Sequence, residues 1–352
     1  ITEHICGVDN VQSLCNLSLM TGNLGIKGGG INPMRGQNNI QGAGDCGAVP
    51  NNFPGFQPCD DQNHADKFSK AYGNQIDAER GITKVAALNS CGSEGPEGIH
   101  AMLIDGENTV VTDPDMNHCK NALKSLKHLV VIDLFLTETA QLADIVFPAT
   151  AFAETDGVQT NTERRVQRLR AAVPPPGEAK PDWWIISGIA KHMETPGFEY
   201  GSAKDVFNEL CSLSPIYKGL NWDRIENGEY QWPVPTDDHP GTPRLHEQEF
   251  KNGRGLFKLI GYRDPAEVID ADFPVWLTTG RRLQAYHTRT QTGRSSGIDY
   301  LLKDLSLEIN PDDVVIYLIR GKAKHESKDY LGAIAYRTNA IEIKSDLFAA
   351  YR

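Results

Sequence analysis

The sequence predicts a mixed α/β fold built on a parallel sheet, with a helical hairpin at its C-terminal end. Three observations carry this. Short apolar runs alternate with amphipathic segments between residues 99 and 150, the pattern of a parallel sheet with helical crossovers. Two of those runs close on polar turns, Asp105-Gly106 and Asp133-Leu134, the place where such sheets bind ligands. Residues 314–352 read as two amphipathic helices around the turn Lys328-Asp329-Tyr330.

In chain order, VDNVQSLCNLSLM (8–20) puts Val8, Val11, Leu14, Leu17 and Leu19 or Met20 on one helical face, and Thr21-Gly22 ends that helix. Residues 50–85 are polar and punctuated by proline and glycine, a loop region with short helices. IHAMLI (99–104) is a strand. DPDMNHCKNALKSLKH (113–128) is a helix with Met116, Ala122, Leu123 and Leu126 inward. LVVI (129–132) is a buried strand, TETAQLA (137–143) a short helix and DIVFPA (144–149) another strand. VQTNTERRVQRLRAAV (158–173) reads as a strand pair with a basic patch, and PPPGEAKPDW breaks the chain before the helix WWIISGIAKHM (183–193). Residues 214–255 are polar and proline-rich with little periodicity, and FPVWLTTG opens a β-rich run at 273. A domain boundary is expected at 265–272.

The 352 residues are 39% hydrophobic, enough for two or more units with cores of their own. A net charge of −11 leaves no general electrostatic footprint for nucleic acid, and no run approaches the roughly 20 apolar residues of a membrane span. ITEHICGVDN has no basic region followed by an apolar one and no initiator Met. A cytoplasmic chain that begins at a cut edge is expected. The seven cysteines include no CxxC pair, and the ten histidines show no metal-ligand spacing. They read as reduced thiols packed as small hydrophobes, so any metal must be held by something other than a protein cage.

Residues 28–48, GGGINPMRGQNNIQGAGDCGA, collect glycines and side-chain amides around a single arginine, Arg35. Glycine lets backbone approach a ligand closely, amides offer donors and acceptors to a heterocycle, and a guanidinium fork suits a carboxylate or phosphate. The stretch is not a GxGxxG dinucleotide fingerprint, because the spacing differs and no strand precedes it. An irregular surface loop would look similar.

GNLGIKGGGINPMRGQNNIQGAGDCGAVPNNFPGFQ (22–57) resembles the molybdopterin oxidoreductase family, and within it the catalytic subunits of formate dehydrogenases. MLIDGENTVVTDPD, VVIDLFLTETAQLADIVFPATAFAETDGVQTNTERRVQR and LTTGRRLQAYHTRTQTGRS continue the resemblance in order to about residue 310. It implies a bis-(molybdopterin guanine dinucleotide) cofactor carrying molybdenum or tungsten, oxidation of formate to CO2, and iron–sulfur and flavin electron-transfer subunits as partners. It also implies that Arg35 orients formate and that Gly36, Gln37 and Asn38 wall the cofactor. Gly106, Glu107, Asn108 and Asp133, at strand ends, would accept from guanine-type donors, although turn chemistry explains them too. The loop reads GENT where the family has GENP. Asn161 and Arg164, beside Glu163 and Arg165, match TNTERRVQ and would serve phosphates or a domain interface. Gly280, Arg281, His287, Thr288 and Thr290 match the pattern the family lays against pterin and phosphates, with Gln284, Ala285, Tyr286 and Arg289 departing from it.

The resemblance places a [4Fe-4S] ligand set and the Cys or selenocysteine metal ligand ahead of Ile1, so the isolated chain is expected to be inactive with formate. The organisation expected is a glycine-rich cofactor and substrate segment (1–50), an α/β molybdopterin-binding domain (51–265), a truncated double-psi-type β-barrel (271–310) and a partial repeat (314–352). Tyr317, Gly321, Ala333 and Ala340 resemble a tetratricopeptide repeat, which would take a helix or peptide partner. LEINPDD (307–313) suits both styles and reads as a junction. Two other functions stay open: a different molybdopterin oxidoreductase such as an assimilatory nitrate reductase, and a non-catalytic repeat adaptor.

Overall fold

The computed structural model describes residues 4–271, 273 and 275–302, and beyond them only residues 322, 324, 326, 328, 329 and 331–335. The chain divides into two compact units, residues 14–257 and residues 1–13 with 258–352. Helix α1 (Gly7–Met20) runs across the dividing point. Its apolar row forms as a row but not as core: Val8, Leu14, Leu17 and Met20 are all more than half exposed. Helical period specifies a face, and among the described residues nothing covers this one.

In the larger unit the glycine-rich loop runs into a short helix α2 (Ile40–Asp45). Asn39 opens it with φ 59° and makes no cap bond to it. Its Oδ1 instead accepts from the Thr160 N–H at 2.9 Å, tying the loop to a strand far along the chain. A small antiparallel hairpin, β1 (Asn52–Phe53) and β2 (Gln57–Pro58), follows. Then come α3 (Gln62–Tyr72), capped by Asp61, and α4 (Lys84–Ser90), capped by Thr83.

The strand–helix alternation does build a parallel sheet. Strands β3 (Ala101–Asp105), β4 (His128–Asp133) and β5 (Ile145–Pro148) pair in that order, with Asp105 opposite Ile132 and Asp133 opposite Pro148. Helices α5 (Thr109–Thr112) and α6 (Met116–Lys124) make the first crossover. Alternation along β4 divides its side chains between two faces. Leu129 and Val131 pack with Ile104, Val110, Cys119 and Leu123, while Ile132 packs with Ala149 and with Ile185 of α7 (Asp182–His192). Of the four residues expected inward on the helix over 113–128, Ala122 and Leu123 of α6 are buried, Leu126 beyond its end is partly buried and Met116 is exposed. TETAQLA forms only a 3₁₀ turn, Ala140–Leu142. Thr137 Oγ1 accepts from Ala140 N at 3.2 Å and Thr139 binds Asn108, so side chains take the bonds a helix would use.

The basic strand pair forms as β6 (Gly157–Thr160) and β7 (Arg165–Leu169), antiparallel, with β8 (Tyr230–Gln231) added on β7. Asn161 Oδ1 makes the turn by accepting from Glu163 N (2.9 Å) and Arg165 N (3.0 Å). Helices α8 (Ala203–Leu213) and α9 (Trp222–Glu226) cover this sheet through Val166, Phe207, Cys211, Tyr217, Ile225 and Val234. Residues 214–255 thus supply core, which their lack of period hid. Irregular backbone buries Tyr217, Leu220 and Val234 one at a time, without repeating a spacing.

The smaller unit differs from expectation. Among its described residues no strand forms, so the β-barrel start expected over 271–310 is not seen there. Asp270 N donates to Phe273 O in a turn, and a 3₁₀ turn (Thr292–Arg294) and a short helix α10 (Ser296–Asp299) follow. A strand exists only by pairing its N–H and C=O groups with a neighbour, and FPVWLTTG has no such partner among the described residues. Tyr317, Gly321, Ala340 and the LEINPDD junction lie outside the described residues. No helix of the described chain is long and apolar enough to cross a membrane.

Candidate functional site

Arg35 stands on the exposed loop just ahead of α2. Its Nη2 donates to Gln41 Oε1 at 3.1 Å. Gln41 and Asp45 sit one helical turn apart on α2, and Gln41 Nε2 donates to Asp45 Oδ1 at 2.8 Å. Asp45 is fully buried, and its Oδ2 accepts from Tyr217 OH at 2.7 Å and Trp232 Nε1 at 2.8 Å. Tyr217 OH meets Thr160 Oγ1 at 2.7 Å, and the Thr160 N–H is the one held by Asn39. Burial pushes the Asp45 carboxyl pKa up, while the bonds from Tyr217, Gln41 and Trp232 and the charge of Arg35 pull it back. Three donors aimed at two oxygens match an ionised carboxylate.

Of the other residues expected here, Gly36, Gln37 and Asn38 are exposed on the same loop. Arg164, at φ 68°, turns inward: its guanidinium donates to the Trp232, Thr242 and Pro243 carbonyls and lies 5.3 Å from the Trp232 ring. It therefore clamps the segment that carries Trp232. Asn161 shapes the turn before it. Gly280 and Arg281 are exposed in the smaller unit, where His287 has φ 49° and Thr288 Oγ1 meets Thr290 Oγ1 at 3.2 Å.

The strand-end residues are largely committed to the protein itself. Asn108 is buried, donating to Glu138 Oε2 (2.8 Å) and accepting from Thr139 Oγ1 (2.9 Å). Glu107 accepts from Lys84 Nζ (2.6 Å) and Thr112 Oγ1 (3.1 Å). Asp133 accepts from Leu134 N (2.6 Å) and Thr137 Oγ1 (3.4 Å). Gly106, at φ 66°, turns the chain and donates to Ile132 O. What the strand ends leave open is Asp182, the first residue of α7. Its Oδ1 is buried without a partner among the described residues, and burial, then Asp105 and Asp133 beside it, raise its pKa to about 6. Asp105 is raised too, by burial and by Asp133.

A cleft of about 920 Å³ brings the glycine run against the β6–β7 turn. Gly28 (φ 80°) and Gly30 (φ 125°) line it, and a Cβ on either would meet no atom within 4 Å. Lys27, Lys251 and Arg254 line it as well, with no hydrogen bond or ion pair among the described residues, beside Arg165. Cations and glycine backbone around one cleft, in a chain of net charge −11, make a donor set for phosphates.

The family model for molybdopterin oxidoreductases matches residues 1–192, more than half of the chain. The chain belongs to the molybdopterin oxidoreductase family. Within that family it is 45% identical over 316 residues to the F420-dependent formate dehydrogenase subunit alpha of Methanocaldococcus jannaschii, covering 89% of this chain and 46% of that protein. Formate dehydrogenase H of Escherichia coli is 34% identical over 320 residues, covering 89% of this chain and 44% of its own. The assimilatory nitrate reductase catalytic subunit of Bacillus subtilis is 32% identical over 354 residues, covering 97% and 49%. The chain spans about half the length of the curated relatives it matches. Membership in the family implies a molybdopterin cofactor with molybdenum or tungsten. The cleft of Lys27, Lys251 and Arg254 offers such a group donors for a phosphate.

Sequence reasoning missed Gln41, Asp45, Tyr217, Trp232 and Asp182. The i, i+4 spacing of Gln41 and Asp45 inside the glycine-rich motif was the local signal for the first two. Tyr217 and Trp232 reach Asp45 across 172 and 187 positions, and no local pattern marks them.

Proposed function

We propose that this chain carries the substrate clamp and part of the cofactor wall of a formate dehydrogenase catalytic subunit, oxidising formate to CO2 and passing electrons to iron–sulfur and flavin partners. One observation carries the reading. Arg35 makes one hydrogen bond, to a neutral amide, and no ion pair among the described residues, so its charge stays open to an incoming carboxylate. A planar fork matches a planar carboxylate with two parallel bonds, and holding formate this way fixes its C–H bond relative to the acceptor. The cofactor, a molybdopterin guanine dinucleotide, supplies the acceptor for the hydride equivalent. Lys27, Lys251, Arg254 and the backbone at Gly28 and Gly30 would hold its phosphates. Among the expected wall residues, Gly36, Gln37 and Asn38 stay exposed, whereas Asn108, Asp133 and Arg164 bond to the protein's own loops.

The test is formate oxidation by the holoenzyme with a dye acceptor. Arg35→Ala is expected to lower kcat/KM for formate about 100-fold, and Arg35→Lys to recover only a small part. Parental kinetics in Arg35→Ala would refute the clamp. Because nitrate is also a planar anion and the nitrate reductase covers nearly the whole chain, nitrate reduction is measured alongside. Turnover of nitrate without formate would favour that reading.

A further inference from the structure

We propose that Asp45 is a positioning residue for Arg35, acting through the Gln41 amide. The orientation of the guanidinium is then set by the buried chain Thr160–Tyr217–Asp45–Gln41–Arg35. This rests on the reading of Arg35 as the formate clamp.

Donor and acceptor roles run one way along the chain. Arg35 can only donate, so the Gln41 oxygen must face it, at 3.1 Å. That turns the Gln41 NH2 onto Asp45 Oδ1, at 2.8 Å, which an ionised carboxylate accepts. Tyr217 OH and Trp232 Nε1 both donate to the other oxygen, and Tyr217 takes its own hydrogen bond from Thr160. An amide held at both ends cannot rotate, and the loop arginine inherits that rigidity. Successive bonds polarise one another in the same sense. The arrangement also leaves Arg35 charged and unneutralised. A carboxylate in direct contact would hold the guanidinium but compete with substrate, whereas a carboxylate one amide away holds it without occupying the fork.

The polarity can be reversed and restored. In Asp45→Asn the side-chain oxygen stays with Tyr217 and Trp232, so its NH2 faces the Gln41 NH2. If Gln41 flips to relieve this, it turns its NH2 on Arg35, and the chain breaks at one point or the other. In Gln41→Glu/Asp45→Asn, the carboxylate introduced at position 41 accepts from both Arg35 and the amide introduced at position 45. Every bond is then matched again with the same total charge.

The experiment measures KM and kcat for formate in the holoenzyme for Arg35→Ala, Asp45→Asn and the double variant, with thermal unfolding recorded for each. In the cofactor-free chain, NMR follows rotation of the Arg35 Nη groups. Asp45→Asn is expected to raise KM about ten-fold with a smaller fall in kcat, and to free the guanidinium rotation. The double variant slows the rotation again, while KM stays raised, because the carboxylate at position 41 now pairs with Arg35 and competes with formate. Should Asp45→Asn fail to fold, Gln41→Met decides in its place: it keeps Asp45 and cuts its link to Arg35, and must raise KM and free the rotation. If Arg35→Ala raises KM but Asp45→Asn does not, the positioning role fails and the clamp stands. If the double variant leaves the Arg35 guanidinium rotating as freely as Asp45→Asn does, the chain of bonds does not set its orientation and the proposal is overturned. If Arg35→Ala leaves KM unchanged, the clamp itself fails, and the proposal with it.

Discussion

At the scale of single residues, the chain buries two carboxylates in different surroundings. Asp45 is buried among donors, whereas Asp182 is set beside Asp105 and Asp133 with one oxygen unmatched among the described residues. Asp182 rises from 3.8 to about 6. Between those values the folded chain holds a proton that the unfolded chain has lost. Stability therefore falls as pH rises through that window, and above it the cost of burying the charge, with the repulsion from Asp105 and Asp133, is fully present. Asp182→Asn removes the charge and keeps the shape. Its unfolding temperature is expected to exceed the parent's by about 2–4 °C near pH 8 and to match it near pH 4, by scanning calorimetry. A variant less stable than the parent near pH 8 would show that the Asp182 charge is favourable where it stands, through the N-terminus of α7.

At the scale of elements, the glycine-rich loop is held to the β6–β7–β8 layer by few bonds, and the Asn39–Thr160 bond is one of them. Gly42 guards it: a Cβ at that position would lie 2.0 Å from Asn39 Oδ1. Gly42→Ala must drive the Asn39 side chain off the Thr160 N–H and is expected to cost about 1–2 kcal/mol. In an Asn39→Ala background the obstacle is gone, and the same change should be neutral or stabilise by up to about 1 kcal/mol through helix propensity. Urea unfolding of the four proteins measures the cycle. Additive costs would show that the two residues act separately. Helix α2 illustrates the limit of local reading here. Its Gln-x-x-x-Asp spacing is visible in sequence, but the reason for it is an arginine before the helix and an aromatic pair far beyond it.

At the scale of the whole molecule, the core clusters of the described residues all lie between residues 88 and 234, and the apolar row of helix α1 stays exposed among those residues. Leu14 and Leu17 are 57% and 56% exposed. An uncovered row of this kind drives association, so the isolated chain is expected to self-associate with rising concentration. Leu14→Gln/Leu17→Gln should reduce this without lowering the unfolding temperature, as read by light scattering and calorimetry. A loss of stability in the double variant would mean the row is core after all. The strand–helix alternation at 99–150 was legible because a sheet covered on both faces leaves continuous apolar runs. The uncovered α1 face was not, because amphipathic period says nothing of what lies opposite. The barrel strand expected at 273 is missing from the described residues for the same reason: β-rich composition does not supply the partner.

The sequence by itself determined the family, through motifs in order from Gly22 to Arg168, the parallel sheet, and Arg35 as the lone cation of its loop. These rest on short-range patterns, in which periodicity records burial and a residue type records its own chemistry. Only the tertiary structure decided that Asn108, Asp133 and Arg164 hold loops in place, that Asp182 keeps an oxygen unmatched among the described residues, and that Gln41 links Arg35 to a carboxylate fixed from residues 217 and 232. Hydrogen bonds between distant positions leave no periodic trace along a chain, because each is made once, by residues that only the fold brings together.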